Sequence, residues 1–202
     1  MLRTANTTGK KTTAEYISYQ QTGLFSKLIT DYLDGNATVH SFAQHPFTLE
    51  GIHNAIQQRQ AYKQDRQLLV NELTKQYEKL AVAEAVSKNI QLLANENTFS
   101  VTTAHQPNIL GGPLYFIYKI LHAIQIANEL NITFPQYHFV PVYYMGSEDA
   151  DLEELNNITV GGYRYEWHTK QTGAVGRMKV DRAFETIIYN LHGQLGVLPY
   201  GE

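Results

Sequence analysis

The stretch TFSVTTAHQPNILGGPLYFIYKILHAIQIANEL, Thr98 to Leu130, decides the fold, and YHFVPVYYM, Tyr137 to Met145, completes it. Thr98–Ala104 is β-branched and aromatic, the composition of a strand. His105–Gly112 breaks that pattern with a proline, an asparagine and paired glycines, which marks a loop. Pro113 suits the first position of a helix, where its missing N–H is no loss. From there Leu114, Ile117, Leu121, Ile124 and Ala127 recur at threes and fours as far as Leu130. Tyr137–Met145 is nearly all apolar, as expected of a strand covered on both faces. Strand, loop, helix, strand is a βαβ unit with parallel strands and a right-handed crossover. The expected class is therefore α/β with a parallel sheet.

Before this unit the pattern is helical. Leu24, Leu28, Tyr32 and Leu33 place a helix over Thr22–Asp34, and Ser41–Gly51 reads as a loop around His45-Pro46. Ile52 to Glu96 is helix throughout, with breaks near Lys63 and Leu80 and no sustained heptad, so packed helices are expected rather than a coiled coil. Met1–Ala14 is polar and Thr-rich and is expected to fray. After the second strand, Gly146-Ser147 leads into an acidic helix, Glu148–Leu155, for which Ser147 is a suitable N-cap. Asn157–Val160 and Tyr163–Thr169 flank Gly161-Gly162 as a hairpin, Val175–Val180 reads as a further strand, and Arg182–Gln194 as a helix. The domains expected are residues 1–96, a helical segment packing on the core, and residues 97–202, the first part of the α/β domain. The second half of a doubly wound sheet is missing, which predicts a fragment of a longer chain.

Composition narrows the function. The chain has 202 residues, 43% hydrophobic and only 17% charged, with a net charge of −3 and scattered Lys and Arg. There is no basic footprint for nucleic acid or an anionic membrane. The absence of cysteine excludes a disulfide scaffold, a thiolate metal site and a cysteine nucleophile on this stretch. No apolar run is long enough to span a bilayer, and Met1–Thr13 is not a secretory signal, so a soluble cytoplasmic protein is expected. His138, His168 and His192 have no metal-ligand spacing, so no metal site is expected.

Two segments carry chemistry. The loop after the first strand joins a strand end to a helix start, where free N–H groups and paired glycines make a site for an anion or carboxylate. Its candidate residues are His105, Gln106, Asn108, Gly111, Gly112, Tyr115 and Lys119. The plainer reading is a tight turn with His105 as its cap and Lys119 on a solvated helix face. The segment after the second strand carries Glu148, Asp149, Asp151 and Glu154. These can hold a substrate amine, act as a general base or bind Mg²⁺. In their plainer reading they complement a helix dipole. Both segments leave the same edge of one βαβ unit, which favours function for Glu148 and Asp149.

The motifs are also recognisable together. AHQPNILGGPLYFIYK (Ala104–Lys119) resembles the Gly-Gln-Gln-x-x-x-x-x-Gly-Pro-Leu-Tyr pattern of the cysteine-adding enzymes of bacillithiol biosynthesis. FVPVYYMGSEDADLEELN (Phe139–Asn156) resembles that family's Val-Pro-Val-Phe-Trp, Glu-Asp-His-Asp and Glu-Ile-Asn stretch, at matching spacing. FSKLITDYLD (Phe25–Asp34) is similar to the family's N-terminus. Two departures stand out: the family's first Gly-Gln is Ala104-His105 here, and its Glu-Asp-His-Asp histidine is Ala150. His-Gln-Pro-Asn also occurs as a motif of a second, poorly characterised family.

The resemblance implies a Rossmann-like core, here partial, with a coiled coil further along the full-length protein. It implies a ligase that joins the carboxyl of L-cysteine to the amine of glucosaminyl-malate through an amide bond. By matching position His105, Gln106, Gly112 and Tyr115 would serve the activated carboxylate and its oxyanion, and Glu148 and Asp149 the sugar ammonium. ATP is one candidate activator, which the residues neither require nor exclude. A homodimer is the oligomer considered for the full-length protein. Two alternatives stay open: a non-catalytic Rossmann-like domain binding a small anion, and another ATP-dependent amide or nucleotidyl transferase.

Overall fold

The computed structural model describes residues 15–108, 111–199 and 201, so the N-terminal stretch expected to fray lies outside the described residues. The chain divides into two compact units, residues 1–63 and 64–202.

The first unit is helical: α1 (Tyr19–Thr22), α2 (Lys27–Leu33), α3 (Ala37–His40) and α4 (Leu49–Gln60). Its boundaries are set by side-chain caps. Ser18 and Gln21 form a reciprocal capping box at α1, and the Thr48 hydroxyl accepts the Gly51 N–H at the start of α4. The loop expected over Ser41–Gly51 therefore ends earlier, because Thr48 nucleates the helix.

The second unit begins with α5 (Arg66–Tyr77) and α6 (Glu84–Leu92), continues through β1 (Thr98–His105), α7 (Leu114–Thr133) and β2 (His138–Met145), and then α8 (Leu152–Leu155). The hairpin β3 (Asn157–Val160) and β4 (Tyr163–Glu166) follows, and α9 (Arg182–Leu195) closes the run. The continuous helical reading of residues 52–96 resolves into α4, α5 and α6, broken near Lys63 and Leu80 as the sequence suggests.

β1 and β2 are parallel, in register from Thr98 opposite His138 to His105 opposite Met145. Alternation along the strands sends Phe99, His105, Phe139 and Tyr143 to one face and Val140 and Val142 to the other. On the first face Phe116 of α7 meets Tyr143 edge-on, with ring centroids 5.5 Å apart. On the second, Val140 is buried with Val70 of α5 and with Ile90 and Leu93 at α6. Helices on both faces are the reason β2 reads as an unbroken apolar run.

Polar clamps fix the strand ends. Arg66 donates from Nη1 to the carbonyls of Leu93 and Thr98, each at 3.1 Å, which ties the start of α5 to the entry of β1. Asn131 holds Phe139 by a two-way amide contact, accepting its N–H and donating to its C=O at 2.9 Å each.

The helix expected over Thr22–Asp34 is confined to Lys27–Leu33, and two expectations in the second unit change as well. Val175–Val180 is not a strand; Val175–Arg177 forms a single 3-10 turn. The N–H groups of Val175 and Gly176 donate to Asp149 O and Ser147 O, both at 2.8 Å, so this backbone docks onto the segment after β2 instead of joining a sheet. A Cβ on Gly176 would lie 2.4 Å from Ser147 Cβ, so the approach requires glycine. The acidic helix also starts late. α8 begins at Leu152 and its cap is the Asp151 carboxylate, which accepts from Glu154 N, and not Ser147.

Candidate functional site

The late start of α8 changes what the acidic residues are. Glu148 and Asp149 lie in the loop between β2 and α8, outside any helical turn, so helix-dipole complementation does not account for them. The parallel pairing of β1 and β2 then sets the loop after β1 beside the loop after β2. Gly146 N donates to His105 O at 2.9 Å and continues the ladder into the loops. Gln106 crosses the gap, donating from Nε2 to Asp149 Oδ2 at 3.1 Å.

Asp149 is well supplied with donors. Its other carboxylate oxygen accepts the Asp151 N–H at 2.9 Å. That backbone contact and the Gln106 amide hold its carboxyl below the ordinary carboxylate range. Asp149 is therefore a fixed negative charge and a weak base.

Glu148 is placed differently. Its Oε1 accepts from the Tyr144 hydroxyl at 2.9 Å. The hydrogen bond, and then the charge of Glu148, push the Tyr144 phenol above its ordinary value, so it remains a donor at neutral pH. Tyr144 stands on the α5–α6 face of the sheet by alternation, whereas the His105 ring stands on the α7 face. The structure thus joins Gln106 to Asp149, while Glu148 and the His105 side chain hold separate partners.

His105 sits in a network of its own. Asn108 Nδ2 lies 2.9 Å from His105 Nδ1 and donates to Gln106 O at 3.0 Å. The His105 Nε2 lies 2.8 Å from the Tyr115 hydroxyl. The Nδ1 also lies 3.1 Å from the Gln106 carbonyl, so it faces both a donor, the Asn108 amide, and an acceptor. The tautomer sets which of the two it engages and whether Nε2 donates to Tyr115 or accepts from it. Phe116 packs edge-on against the ring, with centroids 5.6 Å apart. His105 is consequently held rigid, with both nitrogens occupied.

The glycine pair shapes the same loop. Gly111 and Gly112 have φ of 85° and 60°, and a Cβ on Gly112 would lie 2.6 Å from the Asn108 side chain. Glycine there lets Asn108 fold back onto His105. Lys119 is exposed, as on a solvated helix face, and its Nζ also donates to Ala104 O at 2.5 Å. That carbonyl alternates away from β2, so Lys119 satisfies the open edge at the end of β1.

Behind the loops lies a cavity of about 220 Å³ that sequence reading missed. Pro107 and Asn108 form one side, and Leu152, Trp167, Met178 and Phe184 much of the rest. No local pattern announces it, because its walls come from the β1 loop, α8, the end of the hairpin and α9. Tyr144 was also missed, although its i+4 spacing to Glu148 was readable. Among the described residues no group of three or more His, Asp or Glu side chains is placed to hold a metal ion. No described helix is long and apolar enough to cross a membrane.

Parallel strands with a crossover helix define a Rossmann-like α/β domain, and polar loops gather at the carboxyl ends of its strands, the edge where open α/β sheets take their ligands. Residues 12–202 match the family model described as "Bacillithiol biosynthesis BshC, N-terminal Rossmann-like domain". The chain belongs to this family, as its motifs led one to expect. It is 43% identical over 178 residues to a protein of Flavobacterium johnsoniae named "Putative cysteine ligase BshC", covering 87% of this chain and 34% of the relative. A protein of the same name from Flavobacterium psychrophilum is 43% identical over 165 residues, 80% of this chain and 31% of the relative. One from Bacillus anthracis is 32% identical over 144 residues, 71% and 26% of the respective chains. The chain spans about a third of the length of the first two relatives.

Proposed function

We propose that this chain is the N-terminal domain of a ligase that adds L-cysteine to glucosaminyl-malate by an amide bond in the cytoplasm. The observation that carries the reading is the Gln106–Asp149 hydrogen bond, which gathers donors and carboxylates at one edge of a domain of the BshC family. Relatives at 43% identity named for cysteine ligation support the reaction class.

Amide formation needs three things from the protein: donors for the carboxylate and its developing oxyanion, a fixed anion for the ammonium, and an acceptor for the ammonium proton. The loop after β1 supplies the first, through Gln106, the Gly111-Gly112 backbone and the His105–Tyr115 pair, which Asn108 holds in place. Asp149, held below the carboxylate range, suits the second. Glu148, exposed in the loop after β2, suits the third. When bound, a carboxylate-activating co-reactant, with ATP as one candidate, supplies the leaving group. Proton removal frees the amine to attack the activated carbonyl, and the leaving group departs as the amide forms.

The test uses the full-length protein with L-cysteine and glucosaminyl-malate, with and without ATP, and product detection by mass spectrometry of the derivatised thiol. Accumulation of the amide is expected. His105→Ala or Glu148→Ala should lower turnover by on the order of 10²-fold or more, with the melting temperature nearly unmoved in Glu148→Ala, whose side chain is exposed. Full activity in both variants would sink this assignment of roles. Residues 1–202 alone are expected to give no turnover, because the site is completed by the remaining two thirds of the relatives' length.

A further inference from the structure

The cavity of about 220 Å³ behind the two loops is unused by the roles assigned above. It adjoins both of them. Asn108, in its wall, touches His105, and Val175, also in its wall, donates its N–H to Asp149 O at 2.8 Å. An apolar cavity of about 150 Å³ holds benzene, so this one has room for an amino acid with a short side chain. It is open on one side, its lining side chains are apolar apart from the Asn108 amide and the Trp167 indole N–H, and these two side-chain donors are spent. The Trp167 Nε1 donates to Asp181 Oδ1 at 2.9 Å, and the Asn108 amide is taken up by His105 and the Gln106 carbonyl.

We propose that this cavity receives the side chain of the amino-acid substrate and selects a thiol over a hydroxyl; this rests on the ligation reading above. A thiol is a weak donor and a weak acceptor, so it loses little on leaving water for such a lining. A hydroxyl loses its hydrogen bonds and finds no side-chain donor in their place. The Met178 thioether and the rings of Trp167 and Phe184 offer sulfur the polarisable contacts it favours. Selection thus comes from the missing hydrogen-bond partner, and an apolar side chain of the same size passes the same test.

The experiment measures kcat/KM of the full-length enzyme for L-cysteine, L-serine and L-2-aminobutyrate, each with glucosaminyl-malate. Cysteine should exceed serine by on the order of 10- to 100-fold, and 2-aminobutyrate should fall within about 10-fold of cysteine. Val175→Thr and Met178→Gln each place a hydrogen-bonding group in the lining and should lower the cysteine-to-serine ratio by on the order of 10-fold. The KM for glucosaminyl-malate should not move. An unchanged ratio in a folded variant, or serine used as well as cysteine by the wild type, overturns the side-chain assignment and leaves ligation standing. A wild-type enzyme that ligates no cysteine overturns the ligation reading, and this proposal with it.

Discussion

The β1–α7–β2 unit and the segment from Ser147 to Leu195 meet at the same site but are held together in different ways. The first is a pattern of local periodicities: two strands whose apolar faces are covered, and a helix whose stripe covers one of them. The second is regular only within separate pieces, α8, the β3–β4 hairpin and α9, which no shared sheet joins. Its cohesion comes from Trp167 packed with Ile187 and Leu191, and from side chains that bond across long gaps in sequence. Trp167 reaches Asp181, the N-cap of α9, Tyr165 reaches Gln194 at 2.6 Å, and Gln171 bonds both ways to the Lys179 backbone at 2.9 Å. A region built on periodicity tolerates the loss of one contact, whereas a region built on one aromatic anchor does not.

Trp167→Ala tests that contrast hardest. Trp167 is 6% exposed and fills the centre of its cluster, so its truncation should cost about 3–5 kcal/mol. It also frees the indole's acceptor, Asp181, at the start of α9. Denaturant titration should register the loss, and native-state hydrogen exchange should place it in β3, β4 and α9 ahead of β1 and β2. Equal loss of protection in both regions would erase the distinction.

Gly176→Ala is the next in size. The added methyl meets Ser147 at 2.4 Å, where both the backbone and Cβ are tight, so a cost of about 1–3 kcal/mol is expected. The displaced 3-10 turn should also release Asp149 O and lower ligation by the full-length enzyme more than the stability loss alone accounts for. A variant as stable and active as the wild type would separate the turn from the site.

The smallest effect is the pH dependence of Asp149. Its folded pKa lies below the ordinary 3.8, so the native state favours the carboxylate more than the unfolded chain does. The resulting stability is present above 3.8 and is lost as the pH falls through the lowered folded value. Asp149→Asn should therefore be less stable than the wild type near neutrality, with the gap closing at acid pH. Because the residue is only half-buried, the gap should be small, and thermal melts across that range would measure it. A gap that widened on acidification would contradict the hydrogen bonds assigned to Asp149.

How much was readable follows the same division. Thr98–His105, Leu114–Thr133 and His138–Met145 matched their periodicities, since burial on both faces imposes a pattern that each strand and helix displays on its own. That the loop carrying Gly111-Gly112 and the loop carrying Glu148 and Asp149 lie at one edge was legible because parallel strands bring their carboxyl ends together. The strand reading of Val175–Val180 failed because its apolar spacing was outweighed by two backbone hydrogen bonds to residues more than 20 positions away. Ser147 lost the N-cap to Asp151 for a related reason: its carbonyl is engaged by Gly176, and the chain runs on as a loop until a carboxylate can accept Glu154 N.

The sequence by itself determined the α/β class, the parallel pairing, the family and the edge of the sheet where the two polar loops gather. These depend on short-range sterics, periodic burial and residues adjacent along the chain. Tertiary structure alone decided that Gln106 pairs with Asp149 while Glu148 pairs with Tyr144, and that Lys119 is spent on Ala104 O. It also decided that Pro107, Leu152, Trp167, Met178 and Phe184 line one cavity. Such contacts depend on where distant segments come to lie, and no local pattern encodes a wall shared by residues nearly 80 positions apart.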